Sequence, residues 1–177
     1  ADSIRVGIGG GSICSTRLVT GHGIPTFASV LQCSQTTYDK VKIIADGGIK
    51  TTGDMVKAFA AGADFVMVGS MLAGTEETPG EVFQSNAGKK YKVYRGMASS
   101  AAQEDWRGKC TAPEGISTTV PFRGSVKPIL QDIAGGLRSG LSYSGVRSVQ
   151  ELRCKATFVE QSSAGQVESS THIIRRD

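Results

Sequence analysis

The chain has 177 residues, of which 39% are apolar and 20% charged, with a formal net charge of +4. That is enough chain for one domain with a core, and the dispersed basic residues form no nucleic-acid-binding stripe. No apolar run approaches membrane-spanning length. The four cysteines (Cys14, Cys33, Cys110, Cys154) lack CxxC spacing, which argues against a zinc site or disulfide framework and for a reducing, cytoplasmic compartment.

In chain order, Ile4, Val6 and Ile8 predict a strand that ends in Gly9-Gly10-Gly11. Glycine's freedom at positive φ lets such a loop approach a ligand closely. The loop then presents Cys14 and, two residues on, Thr16. A thiol held beside Arg17 and exposed backbone N–H groups can be shifted toward thiolate and act as a nucleophile. The alternative is a glycine-rich turn beside a packing cysteine. Ala28, Val30, Leu31 and Cys33 mark one face of a helix over residues 28–35. The apolar run 41–45 predicts a fully buried parallel strand that delivers Asp46 at its C-terminal end, followed by Gly47-Gly48. Thr51 to Asp54 opens a helix that runs through Met55, Val56 and Phe59 and stops at Gly62. Residues 65–68 predict another buried strand, ending in Gly69-Ser70. Strand, loop and helix in this alternation mean βα units and a parallel sheet. Two small-residue strand ends in succession suit a phosphate, with tight turns alone as the alternative.

Beyond residue 80 the periodicity weakens. Tyr91 to Met97 reads as a short strand and a turn, and the polar stretch 99–109 around Trp106 as a mobile surface loop long enough to serve as a lid. Pro113-Glu114-Gly115 closes it. Ile133, Ala134, Leu137 and Leu141 predict a core-facing helix over 130–141, and its Gly135-Gly136 implies close packing on another backbone. Residues 149–154 predict a short helical turn, Phe158-Val159 a brief strand, and 161–177 a polar tail.

The loop Gly9-x-Gly11-Ser12-Ile13-Cys14-x-Thr16-Arg17 resembles the catalytic loop of the IMP dehydrogenase/GMP reductase family, with Gly10 where that family usually has proline. The resemblance covers nearly all of the chain. It implies an α/β fold: the C-terminal part, about strands six to eight, of a (β/α)8 TIM barrel. Residues 1–177 would be one portion of a single catalytic domain, with an active-site flap at about 97–115 and a tail at 161–177. The opening strand accordingly reads as the middle of a larger protein. The resemblance further implies that Cys14 attacks C2 of a purine nucleotide. Ser12, Asp46, Gly47, Gly48, Gly69, Ser70, Gly96, Met97 and Gly115 would bind that nucleotide, Asp46 at the ribose hydroxyls and the glycines near the phosphate. Ser139, Gly140, Leu141 and Ser142 would contact NADPH. Gly9, Gly11 and Cys14 would hold a monovalent cation, K+, and the assembly would be a homotetramer.

Two activities in that family share the cysteine chemistry. IMP dehydrogenase oxidises IMP to XMP with NAD, then hydrolyses the covalent intermediate with water activated by an Arg-Tyr pair on a long flap. GMP reductase displaces ammonia from C2 of GMP and reduces that carbon with NADPH to give IMP. There the threonine of Cys-x-Thr and the glutamate of a Glu-Gly pair manage the proton of the leaving ammonia. This chain contains no Arg-Tyr dipeptide, and the stretch from Met97 to Glu114 is short. Thr16 and Glu114 take the reductase roles. Val120-Pro121-Phe122-Arg123-Gly124, Tyr143-Ser144-Gly145 and the segments 62–67 and 132–139 look like reductases. The segment 75–80 and the tail look like dehydrogenases. In that tail Glu168-Ser169-Ser170 stands where the family's Glu-Gly-Gly supplies a cation site to a neighbouring subunit, and Thr111 stands where reductases often carry arginine. The expectation is a GMP reductase. IMP dehydrogenase is the second enzymatic reading, and a non-catalytic interaction module the third. The joint presence of Cys14, Thr16, Asp46, Gly69 and Glu114 weighs against that third reading.

Overall fold

The computed structural model describes residues 1–37 and 40–170; the last part of the expected tail, 171–177, lies outside them. Three parallel strands, β1 (Ser3–Val6), β2 (Lys42–Asp46) and β3 (Phe65–Met67), lie in that order. Val6 pairs with Ala45, and Ala45 with Val66, so the three C-terminal ends finish at one edge. The short helix α1 (Thr16–Thr20) and α2 (Thr26–Thr37) connect β1 to β2, and α3 (Thr52–Ala60) connects β2 to β3. These are the expected βα units.

One face of the sheet meets α2 and α3 around Val6, Val30, Ile43, Ala45, Met55 and Ala58, all buried. Each large side chain removed from water there contributes about 1.5–3 kcal/mol. The start of α3 is fixed locally. Thr51 accepts the Asp54 N–H, while the Asp54 carboxylate accepts from the Thr51 and Lys50 N–H groups, a reciprocal cap.

The expectation that β2 and β3 are buried on both faces is not met. Lys42, Phe65 and Met67 are exposed and Ile44 only half-buried. A continuous apolar run tells that a strand is apolar on both faces, not what covers each one. Among the described residues, helices cover only one.

Asp64, at the entry to β3, joins three elements. Its carboxylate accepts the Ile43 N–H at 2.8 Å, and Lys42 and Arg153 both reach it at 3.2 Å. Burial raises its pKa, but the Ile43 hydrogen bond and the two cations outweigh this and hold it below the ordinary carboxylate range. A depressed carboxylate contributes stability above its unfolded pKa and loses it as pH falls through the folded one. Asp64→Asn is therefore expected to lower stability by about 1–2 kcal/mol at pH 7. The gap from the parent should narrow as pH falls below the ordinary carboxylate range, as read in urea melts at neutral and at acid pH. A gap that persists in acid would remove the charge from the account.

A second, antiparallel sheet has the order β4-β5-β6, with β4 (Phe83–Gln84), β5 (Lys90–Arg95) and β6 (Ser117–Pro121). Only β5 is legible in the sequence; β6 is polar Ser-Thr-Thr with exposed side chains, joined through backbone bonds from Tyr91–Pro121 to Arg95–Ser117. Lys92 on β5 is 3% exposed, and its ammonium donates to the carbonyls of Thr75, Glu76 and Thr78. Three donors meet three acceptors, which satisfies a buried cation and ties the second sheet to the turn after β3.

Where a mobile loop is expected, the chain forms α4 (Ser100–Arg107). Ser99 caps it by accepting the Ala102 N–H, and Gly108, at φ 68°, ends it. Its polar outer residues concealed an inner seat made by Ala102 and Gln103, both buried.

The long helix α5 (Lys127–Tyr143) has no cap from its own Val126; the Glu77 carboxylate instead accepts from the Val126 N–H and the Ser125 hydroxyl. Its Ile133 and Leu137 pack against the core only partly buried. The close contact foreseen at Gly135-Gly136 falls at Gly136 and Gly140. A Cβ at these positions would lie 2.4 Å from Thr52 and 2.5 Å from Val56, side chains of α3, whereas Gly135 faces open space. Two further helices follow, α6 (Val149–Lys155) and α7 (Ser163–Glu168), the latter within the stretch expected to be plain tail. Phe158-Val159 forms no strand. Phe158 instead sets its ring edge-on to Phe27, centroids 4.8 Å apart.

Candidate active site

The C-terminal ends of the three parallel strands carry the loops that matter. Gly10 and Gly47 cross so closely that a Cβ on Gly47 would lie 2.9 Å from the Gly10 backbone. Only glycine, here also at φ 101°, lets the two loops touch. This contact gathers Ser12, Asp46, Gly47, Gly48, Gly69 and Ser70 around one open hollow. The hollow also holds Tyr94, which the sequence reading passed over. Its hydroxyl lies 3.4 Å from Ser12 Oγ, and a Cβ on Gly69 would come within 2.9 Å of it. Tyr94 shares the inward face of β5 with buried Lys92, two residues before it, the only signal that could have singled it out. Three hydroxyls and glycine backbone suit a phosphate, and a carboxylate suits vicinal hydroxyls. Asp46 meets Arg5 Nε at 3.1 Å across β1 and β2, a second residue not foreseen.

The thiol sits beside this hollow. Cys14 is half-buried, its N–H donates to the Gly11 carbonyl at 3.1 Å, and its Sγ donates to Thr16 Oγ1 at 3.2 Å. The expected role of Arg17 beside the thiol is not what the structure holds. Its guanidinium donates to the carbonyls of Ile8 and Ile24, and its stem fills the space against Gly9 and Gly23. Arg17 braces the loop because two carbonyls at the ends of the loop offer fixed acceptors.

The flap meets the thiol loop through its backbone. Ser15 N–H donates to the Glu114 carbonyl at 2.9 Å and Ile116 N–H to the Ile13 carbonyl at 3.0 Å. Glu114 N–H donates to the Ala98 carbonyl at 3.0 Å, which places a half-buried Glu114 next to the loop that carries Cys14 and Thr16. Gly96 lies at the same junction, a Cβ there being 3.6 Å from both the Gly115 Cα and the Ile13 carbonyl, while the Met97 side chain points to solvent. Buried Gln103 closes the flap: its Nε2 donates to the Ala98 carbonyl and its Oε1 accepts the Thr111 N–H. Cys14, Thr16 and the segment that carries Glu114 are thus brought together.

Residues Ser139 to Ser142 are not part of this cluster. They lie on α5, where Gly140 packs on Val56, and Leu141 and Ser142 line a separate hollow with Arg138 and Arg147. Two guanidiniums and a hydroxyl fit the anionic groups of a dinucleotide. The third expected group, the carbonyls of Gly9, Gly11 and Cys14, is neutral oxygen of the kind a hard monovalent cation takes, with the Gly11 carbonyl already accepting one N–H. In the tail, Ser169 adopts φ −72°, an ordinary helical value that needs no glycine.

Residues 1–172 match the IMP dehydrogenase / GMP reductase domain. The chain is 46% identical to an inosine-5'-monophosphate dehydrogenase of Nitrosopumilus maritimus over 98% of its own length and 39% of that protein's. It is 47% identical to a GMP reductase of Leishmania major, over 99% of its own length and 38% of the relative's. Its fold superimposes with a TM-score of 0.92, at 44% identity, on a Trypanosoma brucei GMP reductase bearing a cysteine-to-alanine substitution, crystallised with guanosine 5'-monophosphate. That match covers 99% of this chain and 37% of the other. The chain thus spans about two fifths of the length of the relatives it matches.

Proposed function

The chain belongs to the IMP dehydrogenase/GMP reductase family, TIM-barrel oxidoreductases that use a nicotinamide cofactor, and on that premise we propose that it carries the last three strands and the flap of a GMP reductase barrel. The reaction is the reductive deamination of GMP to IMP and ammonia. The observation that carries this reading is the flap. It is short, closed on itself by Gln103, free of an Arg-Tyr pair, and it seats Glu114 against the loop of Cys14 and Thr16.

In this reading the Cys14 sulfur forms a bond to C2 of GMP, and the C2–N bond to the amino group breaks. Thr16, already within 3.2 Å of the thiol, and Glu114 pass a proton to the departing nitrogen so that it leaves as ammonia. NADPH, when bound, supplies the hydride that replaces that group at C2. The thiolate then leaves, and IMP is released. Ser12, Ser70 and Tyr94 hold the 5'-phosphate, and Asp46 the ribose hydroxyls. The backbone of Gly96, Met97 and Gly115 lines the base. Arg138, Leu141 and Ser142 on α5, with Arg147 just beyond its end, would hold the phosphates of the cofactor. K+ at the Gly9, Gly11 and Cys14 carbonyls would stiffen the thiol loop, and the enzyme would work as a cytoplasmic homotetramer.

Of eight relatives at 44–47% identity, six carry the dehydrogenase name and two the reductase name, and the segment 75–80 leans toward the dehydrogenases as well. A paired assay on the full-length protein separates the two. Reduced-nicotinamide absorbance should fall with GMP and NADPH and stay flat with IMP and NAD. A rise in the second mixture alone would make the enzyme an IMP dehydrogenase whose water is activated without an Arg-Tyr pair.

The phosphate assignment makes its own demand. Tyr94→Phe is expected to weaken GMP binding about 10- to 150-fold, the worth of one hydrogen bond to a charged group, and to leave guanosine binding unchanged. Calorimetric titration with both ligands checks this. Equal losses for both would move Tyr94 out of the phosphate site.

A further inference from the structure

We propose that Ser99 and Gly115 are positioning residues that set the place of the Cys14 thiol, by hanging the thiol loop on the flap as an added strand. The inference rests on Cys14 being the nucleophile. Gly115 is bridged on one side to Cys14 and on the other to Ser99. Around it run the backbone bonds from Ser15 to Glu114, from Ile116 to Ile13 and from Glu114 to Ala98, so three segments form one continuous ladder.

Gly115 does not have a positive φ, so the glycine is not there for an unusual backbone conformation. It is there for space. A Cβ would lie 3.1 Å from the Ser99 nitrogen, close enough to press that residue outward by a few tenths of an ångström, and in ordinary contact, at 3.5 Å, with the Ile13 carbonyl. Ser99 is 1% exposed and does two things at once. Its backbone takes part in the ladder, while its hydroxyl accepts the Ala102 N–H and its carbonyl accepts the Gln103 N–H, which start α4. The first turn of the flap helix and the seat of the thiol therefore share one residue. Anything that unwinds α4 at its start loosens Cys14, and anything bound on the flap that firms the helix firms the thiol.

The test is alkylation of Cys14 by iodoacetamide in the full-length protein without nucleotide, followed by peptide mass spectrometry. Gly115→Ala is expected to raise the Cys14 rate at least fivefold, because displacing Ser99 breaks the ladder from which the thiol loop hangs, with Cys33 and Cys154, outside the flap, unchanged. Ser99→Ala keeps the backbone and loses only the cap; it should raise the Cys14 rate two- to fivefold, and it decides the matter if the glycine variant does not fold. Cys14 rates within twofold of the parent in the folded variants would overturn the proposal. So would a parallel rise at every cysteine, which reports general loosening. Failure of the reductase reading appears elsewhere, as absent GMP-dependent oxidation of NADPH by the parent protein.

Discussion

Cys14→Ala is expected to abolish turnover, by at least about 10³-fold, while GMP binds within about threefold of the parent affinity. In the proposed reaction the thiol is the group that forms the bond to the substrate carbon. The groups that would grip the nucleotide, Ser12, Ser70, Tyr94 and Asp46, line a hollow that the thiol does not help to build. What the substitution removes from the folded protein is small: one S–H hydrogen bond to Thr16 at 3.2 Å. The backbone of residue 14 keeps its bond to Gly11, so the loop should hold its shape. Stopped-flow absorbance for turnover and calorimetry for binding make the two readings independent. Strong residual activity would remove Cys14 from the nucleophile's role. Lost binding would mean that the thiol also shapes the nucleotide site.

Glu114→Gln is expected to slow deamination about 10²-fold or more, with KM for GMP changed by less than about threefold. The substitution preserves size, and the bonds that fix Glu114 to Ser15 and Ala98 are backbone bonds, so the flap should be undisturbed. What disappears is a titratable proton carrier. An unchanged rate would leave Glu114 as a solvated loop carboxylate and pass the proton to Thr16 alone.

Much of the first sheet is legible in the sequence because each βα unit is written in local chemistry: a short apolar run, small residues at its end, a capping threonine, a helical stripe. The cradle residues Ser12, Asp46, Gly47, Gly48, Gly69 and Ser70 meet because those local signals put them all at strand C-termini. The flap is different. Strand β6 is held by backbone pairing to β5, with mostly exposed polar side chains, and pairing partners distant in sequence leave no periodicity. Helix α4 is buried only at Ala102 and Gln103, too short a stripe to register against its charged outer face. Arg17 misled for a related reason. Proximity in sequence put a cation near the thiol, but two fixed carbonyls elsewhere claimed its donors.

Lys92 has a consequence for proteolysis. Its side chain is shut away and its ammonium fully engaged, so trypsin cannot read it while β5 stays paired. Cleavage after Lys92, compared with cleavage after the neighbouring exposed Lys89 and Lys90, would act as a clock for opening of the second sheet. A single digest followed over time could thus separate fraying at the hairpin from release of the whole flap.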